Sequence, residues 1–228
     1  MDLRDGDLLI AVDAGAELCR GAGLAPDVVI GDFDSLPGGV GELDELYGAG
    51  GAGGESGAGS SGGESGAGSS GGESGAAGAA PVPRRVVLPR EKDDTDTMAA
   101  LREGLALGYR EFEVHASLGG DTGHTIANIQ TLAFLHDHGA RGVLHGQGQE
   151  ASLVFDTDGG RAFRTAPGMR VSVFAWAGDA HGVVLRGLFW ELDGGTLSAS
   201  FPLGMSNRAL GDEATVAVAE GALLVVVG

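Results

Sequence analysis

Two patterns of apolar and polar positions succeed one another along this chain. In the first, short β-branched runs end in turn residues and give way to apolar positions at helical spacing. Residues 8–12 form an apolar run closed by Asp13-Ala14-Gly15, and a short helix is expected over 16–21, ended by Gly23 and Pro26. Residues 28–30, all β-branched, read as a buried strand, and strand–helix–strand with short connections is the βαβ unit of a parallel sheet. Further strands are expected at 86–88 and 111–116. Helices are expected over 97–107, N-capped by Thr95 or Asp96, and over 125–138, with Ile126, Ile129, Leu132, Ala133 and His136 as its inner stripe.

Beyond about residue 143 the pattern changes to short alternating strands, at 151–155, 162–165, 170–176, 183–188, 196–201, 214–218 and 223–227. Turn clusters such as Asp156-Thr157-Asp158-Gly159-Gly160 separate them, and no helix of normal length fits. The expected fold class is α/β: an N-terminal parallel-sheet, nucleotide-binding domain over 1–145, then an all-β sandwich domain over 146–228.

Residues 48–80 belong to neither pattern. The unit GGESGAGSS begins at Gly53 and recurs at Gly62, with a partial copy from Gly71. A nine-residue period without one large apolar side chain cannot build a solenoid core, so this insertion is expected to be disordered and without a catalytic role.

Composition narrows the function. Of 228 residues 43% are hydrophobic, enough for a sizeable core, and the net charge is −18 with only 14 Lys+Arg. Nucleic acids and anionic membranes need a basic face, so neither is expected as a partner. No run approaches the ~20 apolar residues of a membrane span, and the first residues carry no signal-peptide pattern. Cys19 is the single cysteine and excludes an intrachain disulfide; a cytoplasmic location is expected, with Cys19 a small core residue.

The candidate chemistry follows the strands. Gly31-Asp32-Phe33-Asp34-Ser35 places two carboxylates at i and i+2 after a strand, and Lys92-Asp93-Asp94-Thr95-Asp96 follows the next. Asp13 and the Gly119–His124 loop close two others. Strand carboxyl ends share one edge of a parallel sheet, where ligands bind. Asp32, Asp34, Asp93 and Asp96 meeting there would repel one another unless a cation intervenes, and Mg²⁺ with triphosphate oxygens answers that need. Lys92, the only lysine, could then meet a phosphate. The plain alternatives stay open: Asp32 and Asp34 as turn residues, Lys92 as a surface partner of Glu91 or Asp94, and His124 as an orienting group for its helix.

Taken together, these segments resemble the thiamine pyrophosphokinase (thiamine diphosphokinase) family. The resemblance rests on Asp13-Ala14-Gly15, on residues 26–35 and on residues 92–96. It extends to His124-Thr125-Ile126-Ala127-Asn128, Gly187-Leu188-Phe189-Trp190-Glu191-Leu192 and Ser206-Asn207, in the same order along the chain. It implies a homodimer that transfers the pyrophosphoryl group of ATP to the hydroxyl of thiamine, releasing AMP. It implies that Asp32, Asp34, Asp93 and Asp96 hold Mg²⁺, with Asp32, Asp34, Lys92 and Asp96 catalytic. Asp13, Gly15, Lys92, Asp93, Thr95, His124 and Asn128 are the other expected binding positions. Trp190 is expected to stack on the thiamine ring from the partner subunit, with Ser206 and Asn207 at the substrate.

Two departures qualify the likeness. The chain starts almost directly at the first Asp-x-Gly strand, where the family has a further strand and a glycine-rich loop. The family's Gly-Gly-Arg-x-Asp-His is here Gly119-Gly120-Asp121-Thr122-Gly123-His124, with a carboxylate in place of a phosphate-facing arginine and a glycine in place of the Asp; Asp121 either reverses the charge at the phosphates or takes over that acid's position two residues early. A non-catalytic thiamine- or nucleotide-binding relative, or a kinase for another hydroxylated metabolite, therefore stands beside the enzyme.

Overall fold

The structure is a computed structural model and describes residues 3–33, 41, 43, 47, 82–91 and 93–228. Asp34, Lys92 and the repeat insertion lie outside the described residues. The chain forms two compact units, Met1–Gly104 and Leu105–Gly228.

In the first unit, β1 (Ile10–Val12), β2 (Val28–Gly31) and β3 (Arg84–Val87) make a parallel sheet in the order β1-β2-β3. Every β2 residue is buried, as expected of a central strand in a covered sheet. Helix α1 (Gly15–Gly21) turns its Ala16 and Cys19 inward. There they join Leu9, Ala11, Val29, Phe33 and Leu43, and the Tyr47 hydroxyl donates to the Ala16 carbonyl at 2.8 Å. Helix α2 (Asp96–Ala106) begins where the Thr95 Oγ1 accepts the Met98 N–H at 3.2 Å, which settles the N-cap on Thr95.

The second unit is one mixed, curled sheet of nine strands. Its strands are β4 (Glu111–His115), β5 (Arg141–Gly146), β6 (Gln149–Phe155), β7 (Arg161–Arg164), β8 (Arg170–Arg186), β9 (Leu192–Leu197), β10 (Asn207–Arg208), β11 (Glu213–Ala217) and β12 (Glu220–Val227). The main order is β4-β5-β6-β12-β8-β11-β7, with β9 and β10 also paired to β8. Only β4 and β5 are parallel; helix α3 (Thr122–Asp137) connects them and packs on the face that carries Gly142 and Leu144. A Cβ at Gly142 would lie 2.8 Å from Leu135, so glycine lets the helix approach the strand.

The strands expected as an all-β sandwich share one sheet with β4 and β5. Residues 170–176 and 183–188 are not two strands; 170–186 form one strand of 17 residues. Its first half pairs with β12 and its second with β11 and β9, and register shifts near Ala180 and Val183 bend it between them. The sheet curls around one core containing Val154, Val173, Leu185, Leu188, Leu197, Val216 and Leu223. Residue 145 lies inside β5, which pairs with β4 on one side and β6 on the other. The α3 stripe also differs: Thr131, Leu132 and Leu135 are buried while Ile126 is 52% exposed, because the helix packs mainly on β5 and β6.

Candidate active site

The expected residues fall into three local constructions, each understandable from its sequence. The first lies at the carboxyl ends of β1 and β2. Asp13 takes a positive φ of 44°, and its Oδ1 accepts the Phe33 N–H at 3.3 Å. Asp13 thereby ties the end of β1 to the turn after β2. A Cβ on Gly31 would come within 1.9 Å of that carboxylate oxygen, so the glycine is required by close approach. Phe33 is buried, which fixes the turn and leaves Asp32 half-buried at the edge. Gly15 opens α1 just beyond.

The second is the segment leaving β3 at the same edge. Asp93 is exposed, Asp94 pairs with Arg102 on α2, and Thr95 is engaged as the cap described above. Asp96 begins the helix and is half-buried. Among the described residues, Asp32, Asp93 and Asp96 do not close into a group of three donors able to hold an ion. The donor set is nevertheless all carboxylate oxygen, the chemistry a hard divalent cation takes.

The third construction comprises two loops of the second unit. After β4, Asp121 N-caps α3, its Oδ1 accepting the His124 N–H at 2.9 Å. Asp121 thus has a structural task here. Asn128 donates to the Ser117 carbonyl at 2.9 Å and steadies the same loop, while the His124 side chain is exposed. Gly119, at φ +90°, lies so close to Gln147 that a Cβ would overlap its amide.

Beyond β8, Asn207 is buried and clamps the backbone of Trp190. Its Nδ2 donates to the Trp190 carbonyl at 2.7 Å and its Oδ1 accepts the Trp190 N–H at 3.0 Å. The indole is left 59% exposed, edge-to-face with the exposed Phe189 at 4.9 Å between centroids. Ser206 has φ +59° and its N–H donates to Ser172 Oγ at 3.0 Å. Asn207 is therefore a positioning residue for an aromatic plate. Sequence reasoning missed Phe189 and Ser172; the Phe-Trp pair in a turn was the signal for the first, and nothing local marked the second.

Among the described residues no helix is long and apolar enough to cross a membrane. No family model matches the sequence, and no curated protein matches it either. Solved structures do. A thiamine pyrophosphokinase from Bacillus subtilis superposes with a TM-score of 0.74 at 18% identity, over 98% of this chain and 88% of that one. One from Geobacillus thermodenitrificans gives 0.73 at 20% identity, over 99% and 88%. The yeast thiamin pyrophosphokinase gives 0.65 at 12% identity, over 97% and 78%. The chain is thus a mixed α/β protein whose described sheets are a small parallel one and a large curled one. That fold is the one of the solved thiamine pyrophosphokinases, along nearly the whole chain.

Proposed function

We propose that the protein is a thiamine pyrophosphokinase, transferring the pyrophosphoryl group of ATP to the hydroxyl of thiamine to give thiamine diphosphate and AMP. The observation that carries this reading is the fold likeness over 98% of the chain at a TM-score of 0.74. The acids at the ends of β2 and before α2, and the clamped, exposed Trp190, support it.

In this reading Asp32, Asp34, Asp93 and Asp96 would hold Mg²⁺, which supplies charge neutralisation at the phosphates. Asp13 and Gly31 fix the turn that aims Asp32. One of the carboxylates accepts the thiamine hydroxyl proton as the oxygen attacks the β-phosphorus. A new P–O bond forms, the bond to the α-phosphate oxygen breaks, and AMP departs. Lys92 offers a cation to the phosphates, and His124 and Asn128 are further proposed binding residues. Trp190 stacks on the cationic thiazolium or the pyrimidine of thiamine, an interaction an acidic protein favours. Ser206 contacts the same substrate.

The chain acts as a homodimer in this proposal, with Trp190 serving the partner's site. The second unit's hollow beneath residues 198–204 measures only about 140 Å³, below the ~300 Å³ of ordinary ligand pockets. Exposed Phe201, Leu203 and Met205 beside it are available to a second copy.

The test is purified protein with ATP, Mg²⁺ and thiamine, followed for AMP and thiamine diphosphate. Equal yields of both products are expected, and Asp34→Ala should lower turnover by at least ~10³-fold with the fold retained. No AMP together with thiamine-dependent thermal stabilisation would leave the non-catalytic binding protein instead.

A further inference from the structure

A second cluster of ligating side chains stands apart from every residue assigned above. Strands β4 and β5 pair in parallel so that His115 and His145 are direct register partners, and β5 and β6 pair so that His145 faces Glu150. Glu113, two residues before His115, shares their face, opposite the one covered by α3. The two imidazoles stack with centroids 4.5 Å apart and 10° between planes. Their Nε2 atoms meet the same oxygen: Glu113 Oε2 is 3.5 Å from His115 Nε2 and 3.9 Å from His145 Nε2. One donor atom from each of the three residues lies within 4.8 Å of the others.

We infer that Glu113, His115 and His145 form a binding site for a first-row divalent transition metal, with zinc(II) the best fit. Two imidazole nitrogens and a carboxylate oxygen are zinc ligands, whereas Mg²⁺ takes oxygens alone. Zinc bonds of about 2.0–2.1 Å at tetrahedral angles put ligand atoms about 3.3 Å apart; the two nitrogen–oxygen separations here, 3.5 and 3.9 Å, are near that, and the two imidazoles would turn toward the ion. His145 Nε2 is buried and makes no hydrogen bond, so a donor pointing at Glu113 has been withdrawn from water without a hydrogen-bonding partner. On the far side of that ring, Nδ1 stands 3.5 Å from Glu150 Oε1. A carboxylate behind a ligating histidine fixes its tautomer and raises its basicity. Glu113 is exposed, so solvent can complete the coordination. The site bridges β4 to β5, and it does not depend on the proposed pyrophosphoryl transfer.

The experiment is a zinc titration of the tag-free full chain against a chromophoric chelator, with protein-bound metal counted after desalting. One zinc per chain is expected, with Kd of about 1 µM or tighter, undisturbed by millimolar Mg²⁺. A hundredfold excess over Kd should raise the Tm by roughly 5–10 °C. Glu113→Gln and His115→Ala, both at exposed positions, should weaken zinc at least ~10-fold, and Glu150→Gln by ~10-fold or more through His145. His181→Ala serves as the control and should bind as wild type does. The inference is overturned if zinc does not saturate below about 100 µM. Unchanged affinity in folded Glu113→Gln and His115→Ala chains overturns it equally, as does displacement of zinc by Mg²⁺.

Discussion

Asn207 shows how one side chain can prepare a binding surface without belonging to it. It is 4% exposed and spends both ends of its amide on Trp190, accepting also from the Arg208 N–H at 2.9 Å. Asn207→Ala would strand the Trp190 N–H and carbonyl and should cost about 1–3 kcal/mol in urea unfolding. On the proposed function it should also weaken thiamine, raising KM more than it lowers kcat. A variant with unchanged stability and KM would show that the clamp is incidental. Gly31 makes the complementary case, since its Cβ would overlap Asp13. Gly31→Ala should destabilise by about 1–3 kcal/mol, and Asp13→Ala should relieve part of that, giving a coupling of at least ~0.5 kcal/mol in a double-mutant cycle. Strict additivity would refute the contact. Cys19 is buried, and burial pushes its thiol pKa up. Ellman's reagent at pH 8 should therefore label it slowly in the native protein and at once in urea; fast native labelling would contradict its place in the core.

At the scale of elements, what was legible in the sequence was local. β1, β2, α1, α2 and β4 could be read because each is a contiguous apolar run or a helical stripe bounded by its own punctuation, such as Thr95 before α2. The strand β5 was not read, since Arg141–Gly146 interleaves glycines and charges with its apolar residues and depends on α3 covering one face. The unity of β8 was hidden by Gly178 and Gly182, which look like a turn yet sit within a strand held on both sides by others. The capping role of Asp121 has no signal in the sequence, because it depends on a helix start three residues earlier than expected. Of the candidate site, residue types and order were legible, but the Asn207–Trp190 clamp joins positions 17 apart and has no local signal. One further loop contact carries a pH prediction. The Asp179 carboxylate accepts from the Ala199 N–H at 2.8 Å and the Ser198 hydroxyl at 3.1 Å, and these bonds hold its pKa below the ordinary value. A depressed folded pKa contributes stability that is present above the unfolded value, about 3.9, and is lost as pH falls through the folded one. Wild type should exceed Asp179→Asn in stability at pH 6, and the gap should close as pH falls below about 4. A gap independent of pH would assign the effect to shape, not to charge.

For the whole molecule, the first question concerns the repeat. Residues 48–80 offer no large apolar side chain to a core, so excising 49–79 should leave the Tm within about 2 °C and preserve turnover. A collapse of either would mean that the repeat supports the fold or the site. The second question is whether a working site takes residues from one chain or from two. On the proposed function the acids after β2 belong to one subunit's contribution and Trp190 to the other's, so the two sets can be inactivated on separate chains. Asp34→Ala and Trp190→Ala chains, each inactive alone, should be co-refolded at equal concentrations. In a twofold dimer half the assemblies are then mixed, and each mixed dimer holds one site with both defects and one with neither. Recovered activity should approach about one quarter of wild type and should vanish when the two variants are mixed without subunit exchange. If both residues served the same chain's site, every site in every assembly would carry one defect, and co-refolding would recover nothing. That null result in a mixture shown to be dimeric would place the thiamine plate in cis and leave pyrophosphoryl transfer itself untouched. A mixture that stays monomeric while wild type turns over would remove the dimer from the proposal altogether.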